Sequence, residues 1–170
     1  MKCEIMNLKE IKNIGFIGLG VMGSPMCNNL LKNKKWHIIV NDLDNSKEKE
    51  LEKNGASIAK NLNELFNVAD MIITCLPGGD FVREIYLGEK KIVSEINPDK
   101  LIIDMSTSQP DLMIELNKLI TKKGSFFADA PIARTRQAAR DGTLAIMVGS
   151  KKQVYNRIFP IDSALIFSLS

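Results

Sequence analysis

The chain has 170 residues, with 23 lysines and arginines against 20 aspartates and glutamates, for a formal net charge of +3. That length suits one domain with a sizeable core, and 45% hydrophobic with 25% charged residues is the balance of a globular protein in water. The basic residues are few in excess and dispersed, which argues against nucleic acid. No apolar run reaches the ~20 residues of a membrane span, and Lys2 and Glu4 with no apolar segment beside them argue against a secretory signal.

Cys3, Cys27 and Cys75 are odd in number, far apart and without metal-ligand spacing. They read as buried thiols of a reduced, cytoplasmic protein with no metal site. His37, the single histidine, stands between Trp36 and the apolar run Ile38-Ile39-Val40 and reads as a partly buried structural residue. Catalysis by two histidines is excluded.

Residues 1–13 read as a polar lead-in. Ile14-Gly15-Phe16-Ile17 is a short apolar run bounded by glycines, as expected of a buried parallel strand. Met22, Met26 and Leu30 recur every four residues on one helical face, and Pro25 suits the first turn. His37 to Val40 is a second strand. Ser46 is a candidate cap for a charged helix from Lys47 to Asn54, which Gly55 stops. Asn61 or Asn63 precedes a short helix around Glu64 to Asn67. Met71 to Cys75 reads as a strand ended by Pro77-Gly78-Gly79, and Phe81 to Leu87 as a helix. Leu101 to Asp104 is a strand. Ser108 then caps a helix with Pro110 near its start and Leu112, Leu116 and Leu119 along one face. Phe126 to Ala128 and Leu144 to Val148 read as later strands. The alternation predicts an α/β protein of Rossmann type, a doubly wound and mostly parallel sheet covered on both faces.

Five motifs carry chemistry. Gly18-Leu19-Gly20-Val21-Met22-Gly23 follows a strand and opens a helix, the context that gives a glycine-rich turn its meaning. Gly18 permits the tight turn, Gly20 lets a pyrophosphate approach the backbone, and Gly23 allows close helix–strand packing. The free N–H groups and positive dipole of the helix start face the phosphates. Asp42 stands 24 positions after Gly18, near the ~20 expected of a carboxylate that holds the adenosine ribose hydroxyls. Leu43 follows it instead of an arginine, which favours NAD over NADP. Asn41 or Asp44 can take the same part, and Asn-Asp-Leu-Asp-Asn is also turn chemistry.

The remaining three lie at strand ends, where doubly wound sheets bind their ligands. Leu76 and Pro77, in Leu76-Pro77-Gly78-Gly79, can line a cofactor ribose or form a plain Pro-Gly turn. In Asp104-Met105-Ser106-Thr107 the hydroxyls of Ser106 and Thr107 can meet a nicotinamide ribose or a substrate carboxylate, or cap the next helix. The loop Asp129-Ala130-Pro131-Ile132-Ala133-Arg134-Thr135, followed by Gly142-Thr143-Leu144, offers Arg134 for bidentate bonds to an anionic group. Arg136 and Arg140 read as solvated, on an exposed turn or short helix.

Together these stretches resemble the β-hydroxyacid dehydrogenases, the 3-hydroxyisobutyrate dehydrogenase family, over about residues 14–160. The resemblance implies NAD(P)-dependent oxidation of an alcohol beside an acidic group, or the reverse reduction of an aldehyde. It implies a contact from Thr107 to cofactor or substrate, and a substrate loop at Ala133, Arg134 and Thr135, where many members carry Ser-Gly-Gly. The Arg-Thr pair looks closest to the sulfolactaldehyde reductase branch, which implies a small anionic hydroxy acid or aldehyde as substrate.

The family also implies a C-terminal all-helical domain that brings the catalytic lysine and most dimer contacts. No residue of this chain matches that lysine. Lys151 and Lys152 open a helix after Gly149 and do not fit the role. The resemblance ends near Ile161, and residues 162–170 read as an atypical tail. The expectation is the NAD-binding domain alone, residues 14–161, shortened by a frameshift, a premature stop or a choice of fragment, and inactive by itself. The apolar stretch Ala164 to Leu169 points to a possible homo-oligomer. The alternative is a non-catalytic NAD-binding module with a regulatory or partner-binding role.

Overall fold

The computed structural model describes residues 10–89 and 92–165. Six parallel strands form one sheet in the order β3-β2-β1-β4-β5-β6, with β1 Asn13–Ile17, β2 His37–Asn41, β3 Ser57–Ile58, β4 Met71–Thr74, β5 Leu101–Asp104 and β6 Phe126–Asp129. This is the doubly wound order, with a switch point between β1 and β4. Every residue of β4 and β5 is buried, as a strand covered on both faces requires. Successive side chains point to opposite faces, so Ile73 and Ile103 enter one core while Ile72 and Ile102 enter the other.

Helices α1 Gly23–Asn33, α2 Asn45–Lys53 and α8 Lys152–Leu165 contribute to the first core; α3 Leu62–Val68, α4 Gly79–Leu87, α5 Ile92–Glu95 and α6 Pro110–Lys122 contribute to the second. Helix α1 buries Met26, Cys27 and Leu30, which share a face by their spacing. Helix α6 buries Leu112, Met113, Leu116 and Ile120. Among the described residues no helix is long and apolar enough to cross a membrane.

Several expectations are corrected. The cap of α2 is Asp44, whose carboxylate accepts the Ser46 N–H at 3.0 Å and the Ser46 hydroxyl at 2.6 Å. The longer acceptor reaches the first free N–H and turns Ser46 into its donor. Gln109 occupies the N-cap position of α6, and the Ser108 hydroxyl instead donates to Asp104 at 3.2 Å. The apolar run Leu144 to Val148 yields only β8 Ala145–Ile146, antiparallel to β7 Ile132–Ala133 in a separate two-stranded sheet. His37 is exposed, and its ring meets the Asn13 side chain at 3.2 Å and the Ser57 hydroxyl at 2.8 Å, which links the starts of three strands. Cys27 is buried and Cys75 is half-buried. Cys3 lies outside the described residues, as do 166–170 of the apolar tail; helix α8 runs through the expected boundary at 161 to Leu165.

Candidate functional site

The carboxyl ends of β1, β2, β4, β5 and β6 form one edge of the sheet, and the singled-out loops all leave from it. Gly18 donates its N–H to the Asn41 carbonyl at 3.1 Å and holds φ at +92°, where a side chain would collide with the Cys75 carbonyl. A Cβ on Gly23 would collide with the Gly18 carbonyl. Gly20 is different: a Cβ there meets no heavy atom within 4 Å. The first and last glycines are therefore required by the protein itself, and the middle one faces open space. The Ser24 hydroxyl donates to the Leu19 carbonyl at 2.7 Å and braces the turn.

Helix α1 begins at this turn without a side-chain cap. The main-chain N–H groups of Gly20, Val21, Met22 and Gly23 have no acceptor among the described residues, as the first groups of an uncapped helix should not. Open space beside free donors at a positive dipole end fits a dinucleotide pyrophosphate.

Asp42 closes the other side. Its Oδ2 accepts the Leu19 N–H at 2.6 Å and its Oδ1 accepts the Asp44 N–H at 2.9 Å. Two partners escaped the sequence reading. Glu48, 5% exposed on α2, accepts the Asp42 N–H at 2.9 Å. Lys47 places its Nζ 4.0 Å from Asp42 and 3.8 Å from Asp44. Asp44 is held below its usual range, first by the Ser46 hydrogen bonds and then by Lys47. Leu43 is fully exposed, and Val21 and Phe81 are also exposed.

In the second half of the edge, Asp104 is completely buried. Its Oδ1 accepts the hydroxyls of Thr74 at 2.7 Å and Ser106 at 2.6 Å, and its Oδ2 that of Ser108. Ser106 is 2% exposed, and its Oγ accepts the Leu76 N–H at 3.0 Å. Its one hydroxyl proton is thus used inside the protein, so Ser106 has no proton to donate to the substrate expected of it. Thr107 and Pro77 are exposed and Leu76 is half-buried along the same edge. Burial, then the nearby Asp104 charge, pushes the Cys75 thiol up to about 12 and raises Asp129 above the usual carboxylate range.

The third loop carries an unexpected strain. Arg134 holds φ at +92° and its guanidinium donates to the Thr143 carbonyl at 3.0 Å. Thr135 caps α7 Arg136–Asp141 by accepting the Ala138 N–H at 3.3 Å, so a local task accounts for its hydroxyl. Ala133 lies half-buried in β7. Arg136 and Arg140 of α7 line a groove of about 840 Å³ that runs along α1 and reaches Leu19, Gly20 and Val21 of the glycine turn and Lys47 of α2.

A family model described as the NAD binding domain of 6-phosphogluconate dehydrogenase matches residues 13–165. The chain is 40% identical to mouse mitochondrial 3-hydroxyisobutyrate dehydrogenase, over 80% of this chain and 40% of that protein. It is 38% identical to the 3-sulfolactaldehyde reductase of Escherichia coli, over 89% of this chain and 51% of that one. Among solved structures, a Mycobacterium tuberculosis 3-hydroxyisobutyrate dehydrogenase with L-serine superposes with a TM-score of 0.84 at 29% identity, covering 92% of this chain and 53% of its own. The chain spans about half the length of the curated relatives it matches. With its six-stranded sheet in the doubly wound order and a match over nearly all of its residues, the chain belongs to the family of the NAD binding domain of 6-phosphogluconate dehydrogenase.

Proposed function

We propose that this chain is the cofactor half of an oxidoreductase, holding NAD across the carboxyl edge of its sheet. The observation that carries this reading is the open space at Gly20 beside four free N–H groups. Gly20, Val21, Met22 and Gly23 present those groups to the pyrophosphate, and Leu19 is fixed behind them by Asp42. Asp42 holds the adenosine ribose, with Leu43 beside it. One ammonium, Lys47, faces both Asp42 and Asp44, so a 2′-phosphate meets net negative charge and NAD is preferred over NADP. Leu76, Pro77 and Thr107 line the path toward the nicotinamide end. The dinucleotide, when bound, supplies the site that accepts or gives a hydride; the chain's own part is to bind and orient it.

We further infer that the substrate is a small hydroxy acid or its aldehyde, with an anionic group held by Arg134 next to Ala133 and Thr135. The relatives named for 3-hydroxyisobutyrate, 3-sulfolactaldehyde and 2-(hydroxymethyl)glutarate all act on small acids by their names. By resemblance, the family's general acid/base lysine has no match among these residues. These residues alone are therefore expected to bind cofactor with turnover near zero, since proton transfer contributes ~10²–10⁴-fold. Free thiols at Cys27 and Cys75 support a reducing compartment.

Calorimetric titration of the chain with NAD and with NADP tests this. Saturable binding with NAD the tighter ligand is expected. No binding of either overturns the reading; equal affinity overturns the role of Asp42.

A further inference from the structure

The buried carboxylate of Asp104 is the junction of three segments. It receives a hydroxyl from β4 (Thr74) and two from the loop after β5 (Ser106 and Ser108), and no part of it reaches solvent. A buried carboxylate is costly unless its lone pairs are filled, so these donors are held toward it. The consequence lies one bond further on. With its proton fixed on Asp104, the Ser106 Oγ has only lone pairs left to offer, and one of them takes the Leu76 N–H at 3.0 Å. Leu76 is the second residue past the end of β4 and the first of the Leu76-Pro77-Gly78-Gly79 turn. Pro77 has no N–H, so the main-chain anchorage of this turn on the β5 side falls to Leu76.

We propose that Asp104 is a positioning residue that acts through Ser106 to fix the Leu76–Pro77 turn in the conformation that receives the cofactor. The inference rests on the reading that this turn lines the dinucleotide. Ser106 then serves the site from behind, without touching a ligand. A turn fixed before binding loses less freedom when the ligand arrives; freeing it moves that ordering cost onto the binding step.

The opposite end of the sheet supplies a control built from the same chemistry. Ser125, also 2% exposed, accepts the Lys100 N–H at 3.2 Å and donates to the Asn97 carbonyl at 2.8 Å. Ser125→Ala removes a comparable buried hydroxyl at the amino ends of β5 and β6, far from the carboxyl ends where the cofactor is proposed to lie.

The experiment compares the full chain with Ser106→Ala, Asp104→Asn, their double variant and Ser125→Ala. Three quantities are read: Tm, the Kd for NAD, and hydrogen exchange at the Leu76 amide. Ser106→Ala is expected to weaken NAD about fivefold to tenfold, the worth of one hydrogen bond, and to expose the Leu76 amide to exchange. Asp104→Asn should do the same in the same direction, with the double variant no worse than twofold beyond the weaker single. Ser125→Ala should lower Tm by a similar amount and leave the Kd within twofold. A Leu76 amide still protected in Ser106→Ala overturns the proposal, as does an equal loss of NAD affinity in Ser125→Ala. Should Asp104→Asn fail to fold, Ser106→Ala against Ser125→Ala still decides. Failure of the unaltered chain to bind NAD instead overturns the cofactor reading, and the Leu76 exchange still reports on the link between Ser106 and the turn.

Discussion

The carboxylate of Asp42 accepts the backbone N–H of Leu19 at 2.6 Å, which joins the end of the second strand to the phosphate-binding turn. The same side chain is thus both a brace for the turn and the proposed ribose ligand. Its Oδ1 is taken by Asp44, but a carboxylate has about four lone-pair sites, so a ribose hydroxyl can still donate to it.

Asp42→Asn keeps an oxygen for Leu19 and removes the negative charge that repels a 2′-phosphate. The NAD-over-NADP preference should narrow about tenfold, a change of the size expected for one partly screened charge. Titration of both cofactors against wild type and variant measures it. An unchanged ratio would sink the assignment of cofactor choice to Asp42.

The two outer glycines and the middle one should separate cleanly. Gly23→Ala puts a Cβ against the Gly18 carbonyl, inside a turn that cannot shift without breaking the Gly18–Asn41 bond, so stability should fall by about 2 kcal/mol or more. Gly20→Val meets only open space and should melt within a few degrees of wild type while losing NAD. Denaturant unfolding of both variants checks the first half of the contrast and titration the second.

Arg134 adopts a backbone conformation that glycine reaches without cost. Arg134→Gly should stabilise the chain by about 1 kcal/mol, less the exposed bond to Thr143. If Arg134 binds the substrate's anion, the same variant should lose affinity for small hydroxy acids in an enzyme carrying both domains. A destabilised variant in urea unfolding would show that the guanidinium–Thr143 contact outweighs the strain.

The two thiols set an alkaline limit. Burial raises Cys27 and Cys75 from 9.0 to about 12 in the folded chain, with the Asp104 charge adding to the effect at Cys75. Unfolded thiols ionise at lower pH than folded ones. Their contribution to stability is therefore complete below pH 9 and is lost as pH rises from 9 toward 12. The slope is up to about 1.4 kcal/mol per pH unit for each thiol. Urea melts at pH 8, 9 and 10 test it, and Cys27→Ala should flatten the fall after pH 9.

The fold was legible because its signals are local and repeated. Short apolar runs such as Met71 to Thr74 and Leu101 to Asp104 mark strands buried on both faces, and Met26 and Leu30 mark the face of α1. The strand Ser57–Ile58 was not legible: two residues carry no period. Capping was half legible. Asp44 and Ser46 are both good caps, and only geometry shows which accepts. In the site, the glycine turn and Asp42 stand out by spacing. The Leu19–Asp42 bond spans 23 positions, the Leu76–Ser106 bond 30. No local pattern encodes such pairs, so the sequence offered Ser106 as a ligand contact when its hydroxyl is turned inward. The strain at Arg134 is equally invisible, since a positive φ at arginine leaves no mark in composition.

The most direct test is calorimetry with NAD on the unaltered chain and on Gly20→Val, with circular dichroism to confirm that both are folded. Saturable NAD binding by the first and none by the folded second would bear out the claim that open space at Gly20 receives the pyrophosphate. Equal binding by both, or no binding by a folded wild-type chain, would contradict it.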